Sequence, residues 1–150
     1  MRRKDKEISA EEAFAILKEG EYGILSVVSQ GNTPYGVPLN FCVIGRKIYF
    51  HCALDGRKLD ILNKNNLVSF CVVGSTEVMP DKFGTKYESV ILTGIAIEVF
   101  AETKRNGLEG LLQKYSSNYM ESGFKYIDKL TDKTKVFEIE IQNISGKTQG

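Results

Sequence analysis

The chain reads as a mainly β domain, a closed or nearly closed antiparallel barrel of about six strands with peripheral helices. Three observations predict it. Six short β-type runs follow one another with tight connections. The helical stretches are few and sit between strands rather than alternating with them. At 150 residues, with 42% hydrophobic and 26% charged, the composition is that of one ordinary globular domain spanning 1–150. A chain of this length buries about 68 to 70% of its unfolded surface and can fold without disulfides or metal.

Ser9 followed three residues later by Glu12 is a capping-box pattern, and Ala13, Ile16 and Leu17 share a face before Gly20, so a first helix of about three turns is expected. GILSVVS at 23–29 is a β-branched strand, QGNTP a turn, and 35–44 the strand that pairs back. Gly45-Arg46 suits a two-residue hairpin turn into 48–53. If Ile44 pairs with Lys47, then Leu39, Phe41 and Val43 share a core face with Ile48, Phe50 and Cys52. The opposite face then sets Asn40 across from His51 and Cys42 across from Tyr49, a polar-capable surface that needs a cover.

A short helix is expected from Arg57 to about Asn65, then a strand over 67–73. GSTEVMPDKFGTK reads as a long loop, followed by a strand over 87–100. Leu108, Leu111, Leu112 and Tyr115 fall at helical spacing, and Phe124, Ile127 and Leu130 suggest a second, shorter helix. Phe137, Ile139 and Ile141 alternate with Glu138, Glu140 and Gln142, the clearest strand signal in the chain.

Charge narrows the function. With 20 Lys+Arg against 19 Asp+Glu there is no basic field for nucleic acid, and no apolar run long enough to span a membrane. Three cysteines outside any CxxC spacing and a single histidine speak against a metal site, and they fit buried thiols in a reducing compartment. MRRKDKEIS lacks the apolar segment of an export signal, so the expected location is the cytoplasm. No GxSxG, GxGxxG or P-loop motif is present.

One segment offers chemistry. In IYFHCALDGRKLDILN a strand ends at a Gly56 turn, and Arg57 and Lys58 open a helix whose free amides favour an anion. Two readings stay open from the pattern alone: a phosphate site, or a solvated basic pair. His51 is likewise either a structural strand histidine or a proton-transfer group.

Taken in order, MRRKDKEI, YGVPLNF (35–41), IYFHCALDGRKLD (48–60) and YESVILTG (87–94) resemble the flavin-binding split-barrel proteins related to pyridoxamine 5′-phosphate oxidase, especially the nitroimidazole-resistance branch. The resemblance covers the chain to about Lys147. It implies a six-stranded antiparallel split barrel that binds FMN at the interface of a homodimer. Arg57 and Lys58 would hold the phosphate, Leu39 and Asn40 would pass the ring edge, and His51, Cys52 and Ala53 would line the ribityl side. Tyr87, Glu88, Ser89 and Val90 would also contact the cofactor. His51 falls where that branch places its active-site histidine.

The implied activity is reduction of a small acceptor such as a nitro-aromatic. The ending ISGKTQG lacks the C-terminal basic cluster of true pyridoxamine phosphate oxidases, which argues against that activity. A haem-binding barrel and a non-catalytic binding barrel are the alternatives.

Overall fold

A computed structural model describes all residues, Met1–Gly150. In chain order the elements are β1 (Glu7–Ile8), α1 (Ala10–Glu19), β2 (Gly23–Val28), β3 (Pro34–Leu39), β4 (Cys42–Ile44), β5 (Lys47–Cys52), α2 (Arg57–Lys64), β6 (Leu67–Met79), β7 (Gly84–Val99), α3 (Ala101–Tyr115), α4 (Met120–Leu130) and β8 (Lys135–Gln149). The strands number eight rather than the six expected. They form one antiparallel sheet in the order β3-β2-β6-β7-β8-β5-β4, with β1 added to β8. No helix is long and apolar enough to cross a membrane.

The extra strands arise from two corrections. The run expected as one strand over 35–44 is broken at Asn40-Phe41, because β3 and β4 lie at opposite edges of the sheet. Two residues of coil therefore carry the chain from one edge to the other. That gap is the seam of the split barrel, and it explains why a continuous β-type sequence does not form a continuous ladder. The other extra strand is the two-residue β1, too short to leave a periodic signal.

The hairpin register is as expected, with Ile44 opposite Lys47 and Cys42 opposite Tyr49. Asn40, however, is outside both ladders, and His51 pairs with Val136 of β8 instead. The second face of this hairpin is not left open either. Cys42 and Tyr49 are buried with Leu108, Leu111, Ile127 and Val136, so helices α3 and α4 of the same chain cover it. The reason given by the sequence for a second copy at that face therefore falls away.

The segment expected as a long loop is a hairpin arm. β6 and β7 stay paired from Thr76↔Tyr87 to Met79↔Gly84, beyond a register shift at Val73/Thr76, and Pro80–Lys82 forms a single 3-10 turn. Gly and Pro read as loop residues locally, but cross-strand pairing, including the Lys86–Glu77 ion pair at 3.9 Å, holds the extended form.

Inside the barrel the main core joins Phe41, Phe50 and Phe70 to aliphatic residues of β2, β6, β7 and β8. Phe41 meets Phe70 edge-on at 5.0 Å between centroids, and Phe50 stacks on Phe137 at 5.5 Å. Each such side chain contributes about 1.5–3 kcal/mol by leaving water. The α1 helix begins as expected. The Ser9 side chain accepts from the Glu12 amide, the Glu12 carboxylate accepts from the Ser9 amide, and Ala13 and Leu17 are fully buried.

Candidate functional site

β5 runs out at Cys52, and the chain turns through Ala53 to Gly56 before α2. Gly56 has φ +142°, a conformation that a side chain would oppose. No side chain caps the helix, and the first amide of its opening turn to find a backbone partner is that of Asp60, which donates to the Gly56 carbonyl. The amides before it have no backbone partner and carry the positive end of the helix dipole.

Arg57 and Lys58 stand at this end without an ion-pair partner. The Arg57 guanidinium lies over the Tyr35 ring at 4.6 Å, and the Lys58 ammonium lies 5.7 Å from the centroid of Phe50. Aromatic faces thus orient two cations that no carboxylate neutralises.

Beside this turn is a cavity of about 500 Å³ between the end of β5, the seam and the α3–α4 pair. Asn40, His51, Cys52 and Ala53 face it from the strand side, and Leu111, Leu112, Tyr115 and Tyr126 from the helices. His51 is exposed to the cavity. Desolvation by its packed surroundings, with the nearby Lys58 charge, lowers its pKa from the ordinary 6.5. The imidazole is therefore neutral at pH 7, with one N–H and one lone pair to offer. Burial raises the Cys52 thiol, which keeps it protonated, and burial pushes Cys42 up to about 11.

The seam needs its own fastening, since Phe41 has no strand neighbour. The Tyr115 hydroxyl accepts from the Phe41 amide at 3.1 Å and donates to the Glu21 carbonyl at 2.5 Å. Lys114 donates to the Phe41 carbonyl at 3.0 Å, with its ammonium 3.7 Å from the centroid of the Phe41 ring. The last turn of α3 thus clamps the backbone next to Asn40. On the other side, Thr134 donates to the Cys52 carbonyl at 2.8 Å, while Lys104 donates to the carbonyls of Thr131 and Thr134 at 2.5 and 2.8 Å. These bonds tie the end of β5 to the chain leaving α4.

Of the residues singled out by sequence, Asn40, His51, Cys52 and Ala53 share the cavity, with Arg57 and Lys58 at the turn that follows. Leu39 lies with Asn40, Tyr22 and Pro38 in a shallow groove on the other side of the seam. Tyr87, Glu88, Ser89 and Val90 are elsewhere. Ser89 pairs with Lys147 of β8, whereas Cys52 pairs with Lys135, so about 40 Å of extended strand lies between them. Glu88 accepts from the Ser75 amide at 3.0 Å, and Val90 is in the core.

The helical wall was missed as a site. Its leucines gave a helix signal, but nothing local marked Tyr115, Tyr126 or Lys133 as cavity residues.

An antiparallel sheet rolled around one core, split at a two-residue seam, with helices packed beside a cationic strand-to-helix turn, defines a split-barrel protein. The chain belongs to the pyridoxamine 5′-phosphate oxidase family, whose sequence profile matches residues 9–148.

Solved structures agree on the fold. A candidate 5-nitroimidazole antibiotic resistance protein from Bacteroides thetaiotaomicron superposes with a TM-score of 0.81 at 21% identity, covering 95% of this chain and 86% of that one. An FAD and haem binding protein from Mycobacterium smegmatis gives 0.81 at 19% identity, covering 97% and 74%. An FAD-binding protein from Mesorhizobium loti gives 0.68 at 23% identity, covering 95% of each. No curated protein sequence matches the chain.

Proposed function

We propose that the protein is an FMN-binding oxidoreductase that passes electrons from a reductant to a small acceptor, with nitro-aromatic compounds as the acceptor class. The observation that carries this reading is the turn at Gly56. Two unpaired cations and a set of free helix amides converge there, next to a cavity bearing Asn40 and His51. That donor set fits one terminal phosphate, with Arg57 and Lys58 supplying charge-assisted bonds. Structurally similar proteins described as binding FAD or haem support a cofactor-binding role for the fold.

FMN is preferred to FAD because the turn offers a single phosphate cradle and the sequence has no dinucleotide fingerprint. A bound flavin would supply the reversible electron and hydride chemistry that protein side chains lack.

The residues present would do the rest. Arg57 and Lys58 anchor, while Leu39, Asn40, Cys52 and Ala53 line the cofactor. The α3–α4 wall excludes water. The neutral His51 would give its ring N–H proton to the acceptor while its other ring nitrogen takes one from water.

The protein is proposed to act as a homodimer. Tyr87, Glu88 and Ser89 lie outside the cavity, and a second copy would bring them to the same cofactor, while Tyr22, Val73 and Ile91 leave apolar surface exposed on β2, β6 and β7 or beside them. Three free cysteines fit a reducing compartment such as the cytoplasm.

A second reading, haem, is favoured by one observation: the only imidazole of the chain is neutral and faces a largely apolar cavity. The visible spectrum of the purified protein separates the two. Flavin bands, with FMN released on denaturation, support the first reading. A Soret band lost in His51→Ala supports the second. A protein that takes up neither cofactor overturns both.

A further inference from the structure

The cavity beside His51 has a charge character that goes beyond the proposed chemistry. None of its lining residues is a carboxylate. The one Lys or Arg among them is Lys133, in the single 3-10 turn between α4 and β8, and it has no ion-pair partner. Two further cations bear on the strand side: Lys58 acts electrostatically on His51 and Cys52, and Lys135 acts on Cys52. Lys135 itself is partly neutralised by Glu98 at 3.7 Å, a carboxylate that also acts on Cys52 from outside the lining. The nearest acid on the same turn, Asp132, does not line the space.

Most of the rest of the wall is apolar, with Asn40, His51, Ser116 and Thr134 as its uncharged polar members. Leu111, Leu112 and Ile127 come from the two helices, and the rings of Tyr115 and Tyr126 stand at the mouth, 39% and 65% exposed. Such a surface desolvates a planar ring and leaves one cation for whatever the ring carries at its edge.

We infer that the acceptor site selects planar aromatic anions, such as aromatic carboxylates or phenolates, and that Lys133 is the residue that sets this preference. The inference rests on the flavin reading, in which Asn40, Cys52 and Ala53 line the cofactor on the strand side and the acceptor takes the space left between the α3–α4 wall and Lys133. Aromatic burial against the α3–α4 wall supplies sequence-independent affinity, and the Lys133 ammonium discriminates by charge. A cationic ring would meet uncompensated positive charge with no carboxylate to receive it. Because Lys133 is exposed, the effect is set by a solvent-screened pair and is salt-sensitive.

Three matched probes test it: 4-nitrobenzoate, 4-nitrobenzamide and 4-nitrobenzylammonium. Dissociation constants are measured by calorimetry on the full chain at low salt, with and without FMN, for the wild type, Lys133→Gln and Lys133→Glu. Thermal unfolding and FMN uptake are followed as controls, since Lys133 lies on the surface and outside the phosphate turn.

The expected result is nitrobenzoate binding about tenfold more tightly than nitrobenzylammonium in the wild type. The ratio should fall to about threefold in Lys133→Gln and reach or pass unity in Lys133→Glu, from the size of exposed ion pairs. Raising the salt should shrink the wild-type ratio.

An unchanged ratio in Lys133→Gln, a wild-type preference for the cation, or no saturable binding of any probe overturns the inference. If the protein takes up no FMN, the flavin reading fails separately. The charge ratio on flavin-free protein still decides whether the cavity selects anions.

Discussion

The clamp on the barrel seam makes Tyr115→Phe an informative substitution. The ring stays and only the hydroxyl goes. That hydroxyl accepts from the Phe41 amide at 3.1 Å and donates to the Glu21 carbonyl at 2.5 Å. Each bond contributes about 0.5–1.5 kcal/mol net, and an amide left without a partner costs about 1–3 kcal/mol.

The hydroxyl also lies 3.1 Å from the Phe41 carbonyl, which keeps Lys114 as its donor, so that contact is not counted. Tyr115 is 39% exposed, and water can take over part of what the hydroxyl held. The resulting destabilisation is about 2 kcal/mol, or about 4 to 8 °C in Tm for a domain of this size. Urea unfolding followed by circular dichroism reads it as a lower midpoint at unchanged slope. Tyr126→Phe is the control, because its hydroxyl bonds to no protein group, and it should stay within about 0.5 kcal/mol of wild type. If Tyr115→Phe is equally silent, the seam is not held as described.

Other outcomes follow from the cationic turn at Gly56 and the lone imidazole. Lys58→Ala should weaken FMN by about 1.5–3 kcal/mol, the range for a hydrogen bond to a charged group, and unchanged affinity in a titration would remove the phosphate assignment. His51 is the only histidine, so its NMR titration can be followed without overlap. It should titrate below 6.5, and Lys58→Ala should move the midpoint up by removing a like charge.

The sign for stability follows from that shift. The unfolded imidazole, at 6.5, binds protons more readily than the folded one, so stability is complete above 6.5 and falls as pH drops below it. A midpoint above 6.5 would contradict the burial argument. His51→Ala should keep FMN yet lose about 100-fold or more in reductive turnover of a nitro substrate, with His51→Gln also slow. Wild-type rates in both would leave His51 a structural residue. A monomer with FMN bound, in sedimentation at micromolar concentration, would refute the homodimer.

Local chemistry was legible in the chain. The Ser9–Glu12 capping box, the two-residue turn at Gly45-Arg46 with its register, the helix opening at Arg57, and the alternation from Phe137 to Ile141 are all decided by interactions within a few residues, and sequence records those directly. So is the cationic turn, since a strand end, a glycine and two cations are adjacent in the chain.

What the sequence did not show depends on partners far away in it. The run over 35–44 breaks at Asn40-Phe41 only because its two halves lie at opposite edges of one sheet, and nothing in YGVPLNFCVI records where the sheet ends. The arm over 74–86 is extended because β6 and β7 satisfy each other's backbone, which overrides the loop tendency of its glycines and proline. Asn40 and His51 come to one cavity across a seam rather than across a ladder. The wall they face comes from helices some 55 to 90 residues further along the chain. Only the tertiary structure could place Tyr115, Tyr126 and Lys133 beside them, because a cavity is defined by the distance between surfaces and not by any periodicity along one of them.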